Sequence, residues 1–302
     1  MIRTNDIVLM IVIFGSLLAG ILAPDFGAYF QPFPLYLMML ILFLSLLPIR
    51  LDDLWGTVRK GWRLVAVLAG AKILLLPVAV FYLCKAIFPD YALAGLLLTG
   101  ISTGAVAPFI SALVGANSAL VLVLVVVTSP LVPFTLPVLV KLLAKQAITI
   151  PLGSMIEMLA LVIFVPAAAV QILRRIAPGL LKRVDRLRFP ISLVVFALIN
   201  LGIFSKYAEF FRQSPTTILT AVGVAFLLGT VYVATGLVLA WKAPLEDRLA
   251  GAVIMGNMNN VLVMVFSARF FTPLEPTLAA MYILPFFLLI LPLRIIKRRH
   301  VR

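Results

Sequence analysis

The chain has 302 residues, of which 64% are hydrophobic and 12% charged, about half the charged share of an average soluble domain. An aqueous fold has nowhere to bury that much apolar surface, so a soluble enzyme, a secreted disulfide scaffold and a disordered chain are all excluded. The net charge of +14 fits cytoplasmic loops that fix a membrane orientation rather than nucleic-acid binding. A single cysteine, Cys84, and a single histidine, His300, leave no material for a disulfide, a cysteine-rich metal site or a histidine-based triad. No catalytic residue, metal or cofactor is therefore expected.

A helix needs about 20 apolar residues to cross a bilayer. Ten such stretches are expected, at 6–24, 33–50, 64–84, 91–114, 117–141, 154–173, 189–205, 216–241, 247–270 and 274–293. They fill most of the chain, which predicts one all-α integral membrane unit over 1–302 with short loops. The first stretch is expected to be retained: it is long, lacks a small-residue cleavage site and is soon followed by the second. With a cytoplasmic N-terminus, 18 of the 25 lysines and arginines fall on the inner side and 6 on the outer, and Lys72 lies inside the third stretch. That bias predicts a multi-pass inner- or plasma-membrane protein with both termini cytoplasmic. The basic run at Lys297–His300 reads as an anchor that meets anionic lipid.

Lys72 is the ninth residue of LVAVLAGAKILLLPVAVFYL (64–83), near mid-bilayer. A lysine there costs at least about 2.5 kcal/mol to insert, and an ionisable residue inside a span marks a function. The fourth stretch places Gly100, Ser102, Thr103, Gly104 and Pro108 within nine residues. The ninth places Asn257, Asn259 and Asn260 directly after Gly256. Glycine, proline and asparagine weaken helices. Inside a bilayer such breaks persist where they line a binding site, because half-helix ends aim dipoles and bare carbonyls at an ion or substrate. The plainer account is a packing kink lined by small residues; it covers the glycines better than the asparagines.

Leu93, Ala94, Gly95 and Gly100 recur as Leu249, Ala250, Gly251 and Gly256, all at an offset of 156. An odd number of stretches separates the two copies, so they enter the membrane from opposite sides, as in an inverted-topology repeat. The halves are expected at about 1–145 and 146–302.

The string LMMLILFLSLLPIRLDDL (37–54), Lys72 with Pro77, YALAGLLLTGISTG (91–104), VGANSAL (114–120), TSPLVP (128–133) and MGNMNNVLV (255–263), in that order, resembles the bile acid–sodium symporter family. The resemblance implies ten helices in two inverted five-helix repeats, with helices four and nine discontinuous and crossing. It implies a panel domain at 6–50 and 154–205 and a core domain at 64–141 and 216–293. It implies transport of organic anions, usually with sodium.

The departures from that pattern shape the functional expectation. The family's ninth helix carries a glutamate and, further on, Gln-Asn; aligned on Gly256, those places hold Ile254, Met258 and Asn259. The Ser-Asn pair of the fourth helix falls at Ala107-Pro108 or one residue later and is absent in either register. Residues 119–127, ALVLVLVVV, carry no hydroxyl where the fifth helix usually has some. Sodium, a hard cation, wants oxygen ligands. Lys72 lies five residues before Pro77, where the resemblance implies a sodium-binding glutamine.

The expected function is sodium-independent alternating-access transport of a small organic anion, with the Lys72 ammonium in place of a sodium ion. It would donate to carbonyls and asparagine side chains at the ninth-helix break. Lys72, Ser102, Thr103, Gly104, Pro108, Gly256, Asn257, Asn259 and Asn260 are the expected substrate and ion contacts. Partners are the anion and membrane lipid, with no nucleic acid, and proton coupling stays open because a buried lysine can exchange its proton. The alternatives are a cation–proton antiporter, disfavoured because stretches four, five and nine hold no acid past Asp247, and a non-transporting scaffold or receptor derived from a carrier.

Overall fold

A computed structural model describes residues 4–49, 55–104, 106–144, 151–288 and 290–301. The expected repeat boundary at 145/146, and Arg3, Arg50, Lys145 and Arg302 of the charge count, lie outside the described residues.

Helix α1 (Thr4–Leu22) leads into the short α2 (Pro24–Ala28) and α3 (Pro34–Leu46), the last two opening on prolines that have no N–H to leave unpaired. Helix α4 (Trp55–Gly70) bends at Gly61 and passes through a π turn, Ala71–Leu75, into α5 (Leu76–Ile87). Pro77 explains the π turn: it cannot donate to the Ile73 carbonyl and its ring crowds that oxygen, so the helix widens just before it.

The chain then runs through α6 (Ala92–Gly100), α7 (Ala107–Val114), α8 (Ser118–Thr128) and α9 (Val132–Leu143). Next come α10 (Leu152–Ile176), α11 (Pro178–Arg186), α12 (Arg188–Lys206), α13 (Ala208–Gln213) and α14 (Pro215–Leu239). Helices α15 (Leu245–Gly256), α16 (Asn260–Phe270), α17 (Leu274–Met281), α18 (Ile283–Leu288) and α19 (Ile290–Val301) complete it. Among the described residues there is no strand, only one isolated bridge between Thr103 and Met258.

Among the described residues, six helical stretches are long and apolar enough to cross a membrane: Gly61–Ile87, Ser118–Leu143, Leu152–Ile176, Arg188–Lys206, Pro215–Leu239 and Leu274–Arg298. Ile11–Leu22, Pro34–Leu46 and Asn260–Phe270 are shorter apolar helices. Large apolar side chains point outward along them, Leu75 at 70% exposure and Leu219 at 72%, as a lipid-facing surface requires.

Helix α12 packs on α1 and on α3, and α3 also on α10. Elsewhere α5 packs on α6, α4 on α8, α16 on α17, and α14 on α15. The last pair approach backbone to backbone: a Cβ added at Gly236 would lie 2.2 Å from the Gly251 carbonyl oxygen. Helices α6, α15 and α16 form the centre, with Leu96, Leu97, Leu98, Ile254, Leu262 and Val263 wholly buried.

Candidate functional site at the crossing of two broken helices

Two helices stop in the middle of the molecule and resume after a gap. Helix α6 ends at Gly100, Ile101 is extended, and α7 begins at Ala107. Helix α15 ends at Gly256, Asn257 is extended, and α16 begins at Asn260. The gaps meet. Thr103 pairs with Met258 in an antiparallel bridge, Gly104 N donates to Asn257 O at 2.8 Å, and Asn259 N donates to Ser102 O at 3.2 Å. Only glycine fits at 104, where a Cβ would sit 2.8 Å from the Met258 carbonyl oxygen.

A helix C-terminus leaves carbonyls unpaired and carries the negative end of the helix dipole. At the end of α15 each of these carbonyls meets a donor of the chain itself. Thr103 Oγ1 donates to Ile254 O at 3.2 Å, the Lys72 ammonium to Met255 O at 3.4 Å, and the Tyr282 hydroxyl to Gly256 O at 2.6 Å. Gly104 N takes Asn257 O, as above.

Lys72 stands in the π turn and is fully buried. Its ammonium also touches the thioether sulfur of Met258. The ion pairs among the described residues, Lys297–Glu246 at 3.1 Å and Arg188–Asp185 at 3.6 Å, do not involve it. Its charge is therefore met by a carbonyl, a thioether and the helix dipole rather than by a carboxylate.

The asparagines divide into two kinds. Asn259 caps α16, its side chain accepting from Leu262 N at 3.4 Å. Asn257 Oδ1 and Asn260 Oδ1 are buried and without a hydrogen-bond partner. The expected donation from Lys72 to asparagine side chains is thus not what the structure shows. The ammonium is drawn instead to the exposed backbone of α15, where the dipole is strongest. Pro108 belongs to its own arm: it lies in the first turn of α7, and its carbonyl accepts from Ser111 Oγ at 2.6 Å.

Two cavities flank this centre. A small hollow of about 10 Å³ reaches Gly256 and Asn257 from the side of Ile110, Val233 and Phe286. A larger cleft of about 170 Å³ opens between α12 and α16 and is lined by Gln31, Leu35, Met158, Lys206, Val265 and Arg269, among others. Its innermost residue on α16, Val265, lies about 7.5 Å along the helix from Asn260.

The model of the sodium bile acid symporter family matches residues 35–214. The chain belongs to that family. A search of curated proteins finds no match. Membership and the long apolar helices together make this symporter-family chain a multi-pass membrane protein of a transporter family. The match runs from α3 to the residue before α14, so it takes in Lys72 and the first crossing arm and stops short of the second.

Sequence reasoning passed over two tyrosines at this site. Tyr282 supplies the donor on Gly256, and Tyr232, whose ring centroid is 5.6 Å from that of Tyr282, shares a 2.6 Å hydrogen bond with Thr99 on the other arm. A tyrosine buried in an apolar helix needs a hydroxyl partner, and that was the available signal.

Proposed function

We propose that this symporter-family protein carries a small organic anion by alternating access, without sodium, and that Lys72 provides the positive charge a sodium ion provides in its relatives. The observation that supports this most is the closure of the α15 carbonyls by the chain's own donors, with Lys72 on Met255 O and Met258 Sδ. Ile254 and Met258 stand where the family pattern has glutamate and glutamine, so two of the oxygen side chains that pattern offers a hard cation are replaced by apolar ones.

The transport unit in this proposal is a ten-helix inverted repeat. A panel at 6–50 and 154–205 rocks against a core at 64–141 and 216–293, with both termini in the cytoplasm. The packing of α1, α3, α10 and α12 on one another supports the panel. The anion approaches through the cleft between α12 and α16. The unpartnered oxygens of Asn257 and Asn260, with Ser102, Thr103, Gly104, Pro108, Gly256 and Asn259 around them, form the polar centre past which the rocking moves it.

The test has two stages. A thermal-shift screen of organic acids on the purified chain selects a ligand, and its affinity is then titrated in sodium and in choline for wild type and Lys72→Gln. The expected result is equal wild-type affinity in both salts and weakened binding in Lys72→Gln. A steep sodium dependence in the wild type, or undiminished binding by Lys72→Gln in choline, overturns the proposal.

A further inference from the structure

Helix α11 (Pro178–Arg186) is held between α10 and α12, two helices long and apolar enough to cross a membrane. One residue breaks the chain at each end of it: Ala177, at φ −142°, after α10, and Leu187, at φ −96° and ψ 5°, before α12. Pro178 keeps α10 from running on, because it has no N–H and its ring crowds the preceding turn. Helix α11 packs on both neighbours. A segment tied this closely to the ends of two spans lies at the bilayer surface.

Its sequence, PGLLKRVDR, divides around the helix. At about 100° per residue, Leu180, Leu181, Val184 and the following Leu187 fall within an arc of about 120°, and Lys182, Arg183, Asp185 and Arg186 take the other side. Leu181 is buried, so one edge of the apolar arc meets the protein. The other edge is open: Leu180 is 53% exposed and Leu187 58%, with Ile176 exposed just before the helix.

The polar side carries an excess of positive charge. Residues 175–188 hold five basic side chains and one acid. Asp185 pairs with Arg188 at 3.6 Å. Lys182, Arg183 and Arg186 are exposed and form no ion pair among the described residues. An open apolar edge beside free cations, at the depth where two spans end, complements a layered surface of hydrocarbon below and anionic headgroups above. An acidic protein would satisfy the cations and leave the leucines uncovered at the hydrocarbon boundary.

We propose that α11 is an interfacial helix that binds anionic phospholipid, with Leu180 and Leu187 in the acyl boundary and Lys182, Arg183 and Arg186 among the headgroups. Arg174, four residues before Pro178, donates to Leu46 O and Leu47 O at the end of α3, so the same lipid contact holds the ends of α3, α10 and α12 to the bilayer. In the topology proposed above this is the cytoplasmic leaflet, whose anionic lipids attract basic segments. The inference needs α10 and α12 to span the membrane and is independent of what the chain carries and of the role of Lys72.

The full chain in neutral detergent with phosphatidylcholine is titrated with phosphatidylglycerol, reading the unfolding midpoint. Phosphatidylglycerol is expected to raise the midpoint saturably, and glycerol phosphate, the headgroup without its chains, is not. Lys182→Gln, Arg183→Gln and Arg186→Gln are each expected to weaken the lipid by about fivefold and their combination by the product, while the midpoint in phosphatidylcholine alone stays put. Arg183→Lys and Arg186→Lys, which keep the charge, are expected to bind like wild type. Lys85→Gln, an exposed lysine far from α11 in sequence, is expected to change nothing.

A second measurement places the helix. Cys84 is buried, so a nitroxide attached to Leu180→Cys or Lys182→Cys labels the introduced thiol. In nanodiscs containing phosphatidylglycerol, the label at 180 is expected to be relaxed by oxygen dissolved in the bilayer, and the label at 182 by an aqueous nickel chelate. The proposal is overturned if phosphatidylglycerol stabilises no better than phosphatidylcholine, if the triple glutamine variant responds like wild type, or if both labels report water. It is also overturned if soluble polyglutamate stabilises the protein through the same three cations and phosphatidylglycerol does not, which would make α11 a docking site for an acidic protein.

Discussion

The Lys72 ammonium donates to the carbonyl oxygen of Met255 across 183 residues of sequence, at 3.4 Å and with no carboxylate in an ion pair beside it. The contact is long for a charged hydrogen bond. The interaction of a cation with a helix C-terminus contributes up to about 2 kcal/mol, whereas stripping an ammonium of water costs several. On that comparison Lys72 is a net burden to the fold, and a burden is kept for what it does.

The first prediction follows from that imbalance. Lys72→Met keeps the length of the side chain and removes the charge, leaving Met255 O without its donor at a cost of about 1–3 kcal/mol. The relieved desolvation outweighs this, so the variant is expected to unfold at the wild-type midpoint or above it while losing anion binding. A clear drop in the midpoint would instead make the lysine a structural cap on α15.

Tyr282 and Lys72 act on neighbouring carbonyls, Gly256 O and Met255 O. Tyr282→Phe removes a 2.6 Å hydrogen bond from a fully buried place and is expected to destabilise by about 1–2 kcal/mol. Because both residues hold the same half-helix end, the double variant with Lys72→Met should depart from additivity by at least about 0.5 kcal/mol. Thermal unfolding of the four proteins in one detergent checks it; strict additivity would show that the two donors hold the end independently.

The breaks were legible because glycine, proline and asparagine punctuate helices locally, and Gly100–Pro108 and Gly256–Asn260 concentrate them. Lys72 was legible because a lone charge in an apolar stretch has few readings. Which asparagine caps a helix was not, since that depends on where α16 begins, and Asn257, Asn259 and Asn260 look alike until it does. Tyr282 and the bond from Lys206 to Ala268 O were hidden for a different reason. Their partners are 26 and 62 residues away, and such convergence is decided by packing that no local pattern encodes.

Arg174 on α10 reaches the end of α3. Its Nη2 donates to Leu46 O at 3.2 Å and Leu47 O at 2.8 Å, and also to Ile49 O. Leu46 ends α3, Leu47 is its C-cap and Ile49 lies just past it, so one guanidinium gathers the carbonyls at that helix end and joins α10 to it. Arg174→Met is expected to cost about 1.5–3 kcal/mol, and Arg174→Lys to recover only part of it, because an ammonium lacks the planar fork. Arg175, the exposed neighbour, serves as the control: Arg175→Met should change the midpoint little.

The crossing itself can be tested with a single methyl group. At Gly104 an added Cβ would lie 2.8 Å from Met258 O and 3.2 Å from Met258 C, backbone atoms of the paired segment that cannot turn aside. Gly104→Ala must push the two extended segments apart and stretch the Gly104 N to Asn257 O bond, at about 1–3 kcal/mol for the overpacking. Gly236→Ala, facing Gly251 O at 2.2 Å, should cost at least as much by separating α14 from α15. Gly153, in the first turns of α10, has nothing within 4 Å of its Cβ position, and Gly153→Ala should stabilise slightly through helix propensity alone. The two close-contact variants differ in what they disturb. Gly104→Ala should lose anion binding out of proportion to its stability, because it moves the carbonyls that Lys72 and Thr103 hold. Gly236→Ala should lose the two together. Unfolding midpoints and ligand titrations on the three variants decide it, and anion binding by Gly104→Ala equal to wild type would remove the crossing from the site.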